Sequence, residues 1–144
     1  MKYDCRIEIN KPINKVVELF DDPNNLHKWM DGLKSIEHLE GIKGEPGAKS
    51  KFIFERKGKK TEMIETIISR NLPDEFSGTY DMTGVHNIQR NRFQKIDENN
   101  TMYISQSEFQ FKGVMKWMEI MSFAFKKQTM KFMVNFKQFV ESEK

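Results

Sequence analysis

The chain has 144 residues, with 24 Lys plus Arg against 21 Asp plus Glu and a formal net charge of +3. That length suits one domain, expected over residues 1–144, which can bury a core without disulfides or metals. The single Cys excludes an internal disulfide, the interspersed charges name no polyanionic partner, and no uncharged apolar run approaches the ~18 residues of a membrane span.

The N-terminus carries no charged-then-apolar leader, so a cytoplasmic location without stable membrane insertion is expected. Tyr3, Cys5, Ile7 and Ile9 alternate with polar residues, the period of a half-buried strand. Pro12 suits the first turn of a helix with Ile13, Val16, Val17 and Phe20 on its apolar face, and Asp22-Pro23 stops it. A second short helix is expected from Asn24 to Met30, ended by Asp31-Gly32. From Leu33 the signals are strands and turns. Ser50–Lys57, Lys60–Arg70, Glu75–Thr83, Val85–Ile96 and Thr101–Phe111 read as strands, separated by turns at Gly58, Pro73-Asp74, Gly84 and Asp97–Asn100. The basic run Arg56-Lys57-Gly58-Lys59-Lys60 reads as a solvated hairpin tip; without interleaved exposed aromatics it points to no nucleic acid.

Gly113 to Ser142 contains no Pro and no further Gly, and Val114, Met118, Met121, Phe125, Phe132, Phe136 and Phe139 share one helical stripe within about 60° of arc. One amphipathic helix roughly 45 Å long is expected there, and its apolar face needs a large cover. Strands in short-turn succession supply it. The fold class is therefore α+β: a curved antiparallel sheet of about six to seven strands wrapped around a long C-terminal helix, with two short helices after the first strand. A straight helix on a concave sheet leaves unfilled volume, so a cavity is expected between them.

The run Ile9-Asn10-Lys11-Pro12 with Val16-Val17-Glu18-Leu19-Phe20, then Asp21-Asp22-Pro23 and Leu26-His27-Lys28-Trp29, resembles the opening of the SRPBCC superfamily of START-related and pollen-allergen-like helix-grip domains. Leu33–Glu37, Glu45–Lys49, Leu72-Pro73-Asp74 and the closing helix with Phe125, Lys127 and Gln128 extend the resemblance over nearly the whole chain. It implies a helix-grip fold that holds a hydrophobic or amphipathic small molecule, such as a lipid, isoprenoid or aromatic polyketide. Some bacterial relatives are called polyketide cyclases or dehydratases, so an enzyme of that type using the same cavity is one alternative.

Strand parity selects the cavity lining. Asn87, Gln89, Asn91 and Phe93 share a face opposite Arg90 and Arg92, which are expected in water. Tyr103, Ser105, Ser107 and Phe109 share the corresponding face of the next strand, and Phe76, Tyr80 and Met82 that of the preceding one. Phe52 and Phe54 join them from an earlier strand, and Trp29 is a candidate for the mouth. Met118, Met121, Phe125 and Phe132, with polar Gln128 beside them, form the lid from the helix. Apolar walls with hydroxyl and amide groups between them are what an amphipathic ligand requires. For the strand containing Met63, Glu65 and Ile67 against Ile64, Thr66 and Ile68, parity does not choose a face.

Catalysis draws less support than binding. His27, His38 and His86 have no ligand spacing, so no metal and no cofactor is expected, and no phosphate loop or nucleophile elbow is present. Tyr80, Tyr103 or Glu65 is available as acid or base if a reaction occurs. Trp117 is expected to seal the helix against the sheet edge. The far side of the helix carries Ile120, Phe123, Met130 and Val134, giving a second alternative: a protein-interaction face, with a homodimer through Phe123, Met130 and Val134.

Overall fold

A computed structural model describes residues 1–144. The alternating N-terminal segment forms β1 (Lys2–Ile9), and Pro12 precedes α1 (Ile13–Asp21), where its missing N–H costs nothing. Asp22 accepts a hydrogen bond from the Asn24 N–H at 2.9 Å, capping a 3-10 turn at Pro23–Asn25 that leads into α2 (Leu26–Trp29). The strands β2 (Leu33–Glu40), β3 (Lys49–Arg56), β4 (Lys59–Asn71), β5 (Glu75–Met82), β6 (Val85–Asp97) and β7 (Asn100–Phe111) follow. A 3-10 segment, Gly113–Met121, then joins α3 (Ser122–Ser142).

All seven strands form one antiparallel sheet in the order β1-β7-β6-β5-β4-β3-β2. Its two edges, β1 and β2, are consecutive in sequence, so α1 and α2 carry the chain from one edge to the other. Register shifts in the β2–β3, β4–β5 and β6–β7 ladders add to the natural strand twist and curve the sheet. The backbone of α3 approaches the sheet chiefly along β1 and meets α1 and α2 at its other flank. The Tyr3 hydroxyl anchors it there, 3.1 Å from the Phe125 carbonyl and 2.7 Å from the Thr129 hydroxyl.

The packed core gathers at the C-terminal half of α3. Ile9, Val16, Phe136 and Val140 are fully buried with Met133, Trp29, Phe93 and Tyr103 around them. Each such side chain contributes about 1.5–3 kcal/mol by leaving water.

The expected single helix over Gly113–Ser142 is corrected: its first nine residues are 3-10. Gly113, at φ 60°, starts a new direction, and the Lys112 N–H donates to the Gly84 carbonyl at 2.9 Å, holding the segment over the β5–β6 turn. At three residues per turn the side chains fall in rows, and Val114, Trp117, Ile120 and Phe123 form a row in solvent. Val114 therefore leaves the inward stripe, at 87% exposed, and Trp117, 58% exposed, seals nothing. Met133 and Val140 take inward positions, while Met130, expected outside, packs against the core. Arg92 is half-buried rather than in water.

Candidate functional site

Between the sheet and α3 lies a cavity of about 890 Å³, within the ordinary size range of small-molecule sites. It exists because α3 rests on β1 and stands away from the strands beyond. The N-terminal half of α3 places Phe125, Gln128, Thr129 and Phe132 over it, and the 3-10 segment adds Met115 and Met118.

Antiparallel register turns the opposite wall into rows. One runs Ser50, Glu65, Tyr80, Asn87, Phe109 across β3 to β7, each residue directly opposite the next. The next runs Ile67, Gly78, Gln89, Ser107, and a third Phe76, Asn91, Ser105. Gly78 matters here: any side chain would project from the middle of this wall, and a Cβ would stand 3.1 Å from the Thr66 carbonyl. The polar side chains largely satisfy one another. Tyr103 donates to Asn91 Oδ1 at 3.0 Å, Gln89 donates to Asn87 Oδ1 at 3.0 Å, and Asn87 donates to the Glu108 carbonyl at 3.1 Å. Paired in this way, they are held in fixed orientations and escape the cost of lone burial.

Tyr80 donates to Glu65 Oε2 at 2.8 Å, and this is the only hydrogen bond of the Glu65 carboxyl group. Both are removed from bulk water while their atoms border the cavity. Burial raises the Glu65 pKa, the Tyr80 hydrogen bond opposing it. Tyr80 is raised well above the usual phenol range by burial and then by the Glu65 charge; burial also raises Tyr103. At the core end, Trp29 stacks on Phe20 with its ring 6.0 Å away, and its buried Nε1 has no partner. The rim is charged: Arg70 on β4 pairs with Asp21 of α1 at 2.6 Å and with Glu45 of the β2–β3 loop at 3.6 Å. Arg56 lies over the rings of Phe54 and Phe132 at 5.4 Å.

Of the residues expected to line the cavity, Trp29, Phe52, Phe54, Phe76, Tyr80 and Met82 border it, as do Asn87, Gln89, Asn91, Tyr103, Ser105 and Phe109. From the helical side Met118, Phe125, Gln128 and Phe132 do so too. Ser107 and Met121 do not: Ser107 is covered within the wall, and Met121 belongs to the 3-10 segment, whose turn differs from the helix that would have aimed it inward. Glu65, whose face parity left open, points inward with Met63 and Ile67. Sequence reasoning missed Ser50, Met115, Thr129 and Met133. Ser50 was findable, since it sits two residues from Phe52 on the same strand face. Met115 was not, because its position depends on the 3-10 turn. No group of three or more His, Cys, Asp or Glu side chains is placed to hold a metal. No helix is long and apolar enough to cross a membrane.

The sequence model of the family described as polyketide cyclase / dehydrase and lipid transport matches residues 2–141, and the chain belongs to that family. No curated protein matches it. Among solved structures, Ara h 8.0201 superposes with a TM-score of 0.80 at 17% identity, over 99% of both chains. The Zhui aromatase/cyclase from a Streptomyces species gives 0.79 at 11% identity, over 98% of this chain and 93% of that one. Norcoclaurine synthase from Thalictrum flavum, in complex with dopamine and hydroxybenzaldehyde, gives 0.76 at 13% identity, over 100% and 88%. These likenesses establish the helix-grip fold, a seven-stranded antiparallel sheet gripping a long C-terminal helix.

Proposed function

We propose that this family member binds one amphipathic small molecule in the sheet–helix cavity, in the cytoplasm, as a carrier or sensor, with the ligand's polar groups on the sheet and its apolar face under α3. The observation that carries the reading is a largely apolar cavity with a row of fixed polar groups along its sheet wall. The row Ser50, Glu65, Tyr80, Asn87 faces Phe125, Phe132 and Met133 across about 890 Å³. Apolar walls supply affinity, and fixed polar groups supply orientation. A lipid, isoprenoid or aromatic polyketide body fits this description. Native mass spectrometry of freshly purified protein, followed by organic extraction, is the direct test, together with titration of the neutral fluorophore N-phenylnaphthylamine. Saturable probe binding that is lost in Gln89→Trp, which fills the cavity centre, supports the reading. If no ligand co-purifies and no probe binds saturably, the reading fails.

Two observations support other readings. The Glu65–Tyr80 hydrogen bond is an acid–base pair bordering the cavity, of a kind a cyclase or dehydratase would use, and turnover of a bound polyketide separates that enzyme from a carrier. The solvent row ending at Phe123, with Val134 36% exposed beyond it, supports self-association through that face. Sedimentation showing a concentration-dependent dimer lost in Phe123→Lys tests it, and a monomer at all concentrations removes it.

A further inference from the structure

The cavity's polar wall contains one acidic side chain at depth and no base. Glu65 forms none of the ion pairs of the chain. Its neighbours across the strands are Ser50 and Tyr80, Asn87 lies beyond Tyr80, and the helix above presents Gln128 and Thr129. The lysines and arginines that border the cavity, Lys43, Arg56, Lys59 and Arg70, belong to its exposed rim. Arg70 is engaged there by Asp21 and Glu45, and Arg56 by the Asp31 carbonyl. A carboxylate withdrawn from water without a counter-charge is costly, and an amide would have accepted the Tyr80 hydrogen bond without that cost.

A second feature surrounds the same carboxylate. The rings of Phe52 and Tyr80 meet edge to face, 6.3 Å apart and 85° to one another, and the Tyr80 hydroxyl joins this pair to the carboxylate. A carboxylate hydrogen-bonded to one ring of an aromatic pair at the cavity wall can stabilise an ammonium group through charge and ring quadrupole together. Fatty acids and other anions meet only repulsion at this point.

We propose that Glu65, with Phe52 and Tyr80, is a recognition site for a protonated amine, and that the ligand class is an amphipathic organic cation with an aromatic or alicyclic body. This rests on the binding reading above. The free carboxylate oxygen accepts from the ammonium N–H while Tyr80 holds the other, and the body lies under Phe125 and Phe132.

The test displaces N-phenylnaphthylamine with a matched set at pH about 7.5: naphthylethylamine, naphthylethanol and naphthylacetic acid. The amine is expected to bind about tenfold tighter than the alcohol or better, the scale of one charge-assisted hydrogen bond, with the acid weakest. In Glu65→Gln the amine and alcohol should agree within about twofold, each displacement being scaled to the variant's own probe affinity, and a far-ultraviolet circular dichroism spectrum matching the parent's shows that the variant folds. Should that variant lose the probe, Ser50→Lys takes its place: it sets an ammonium opposite Glu65 and must abolish the preference. Equal binding of amine and alcohol, tightest binding by the acid, or a preference surviving Glu65→Gln overturns the proposal while leaving the cavity reading intact. Failure of the probe to bind the parent protein defeats both.

Discussion

Replacing Phe136 by Ala removes the side chain around which one end of the molecule is built. It is 0% exposed, and its ring centroid lies 5.0 Å from Trp29, 5.6 Å from Phe20, 5.7 Å from Tyr103 and 6.5 Å from Phe93. These neighbours come from α1, α2, β6 and β7, so no single element can move to fill the void. The expected cost is about 3–5 kcal/mol, against a total stability on the order of 5–15 kcal/mol. Phe125→Ala is the control, on the same helix about three turns away. Its ring touches Phe109 at 4.8 Å and Phe111 at 5.7 Å but borders the cavity on its remaining side, so the deletion enlarges an existing space. A loss of only about 1–2 kcal/mol is expected, together with weakened binding of N-phenylnaphthylamine. Urea unfolding followed by far-ultraviolet circular dichroism reads both, as shifts in midpoint at constant slope. Equal costs for the two substitutions would refute the division of α3 into a packed half and a cavity half.

Glu65→Gln should raise thermal stability at neutral pH. Burial raises the carboxyl pKa of the folded state, so the stability tied to this group is complete below the ordinary glutamate pKa of 4.5 and is lost as pH rises through the higher folded value. The gain of the variant should therefore shrink to nothing as melting is repeated at falling pH, and a gain that persists below pH 4.5 contradicts the cause assigned. Gly41→Ala should destabilise by about 1–3 kcal/mol, measured by urea titration, because φ is 80° and the new Cβ would stand 2.8 Å from the Ala48 Cα. Arg70→Ala, which removes the partly exposed rim ion pairs to Asp21 and Glu45, should cost no more than about 1 kcal/mol by the same titration.

Turn chemistry made most of the strands legible: Gly58, Pro73-Asp74, Gly84 and Asp97–Asn100 mark hairpins whose strands end within one or two residues of expectation. The strand Leu33–Glu40 was less visible, since its burial pattern is almost wholly exposed and carries no alternation to read. The 3-10 segment was hidden by ambiguity of period. Val114, Met118, Met121 and Phe125 fit a helix of 3.6 residues per turn, while Val114, Trp117, Ile120 and Phe123 fit a repeat of three, and only the Gly113 turn and the Gly84 contact decide between them. Glu65 was undecided for a different reason. Its strand is apolar on both faces, with Met63 and Ile67 on one and Ile64 and Ile68 on the other, and the face becomes fixed when Glu65 falls opposite Tyr80.

The two halves of α3 divide the tasks of the fold between them. Phe136, Val140 and Met133 close the core with Ile9, Val16 and Trp29, and that end supplies stability whether or not a ligand is bound. Stability so placed frees the Phe125 end from the need to fill its space. It also permits a polar wall, because Asn87, Gln89, Asn91 and Tyr103 satisfy one another or the backbone and so need no ligand. What such a wall leaves over is informative. Trp29 Nε1, among Phe20 and Phe136 at the core, and Ser107 Oγ within the wall are enclosed without a partner and out of a ligand's reach. The second oxygen of Glu65 also has no internal partner, and its side chain borders the cavity. A ligand that completed it would be selected by that one polar contact more than by its hydrophobic area.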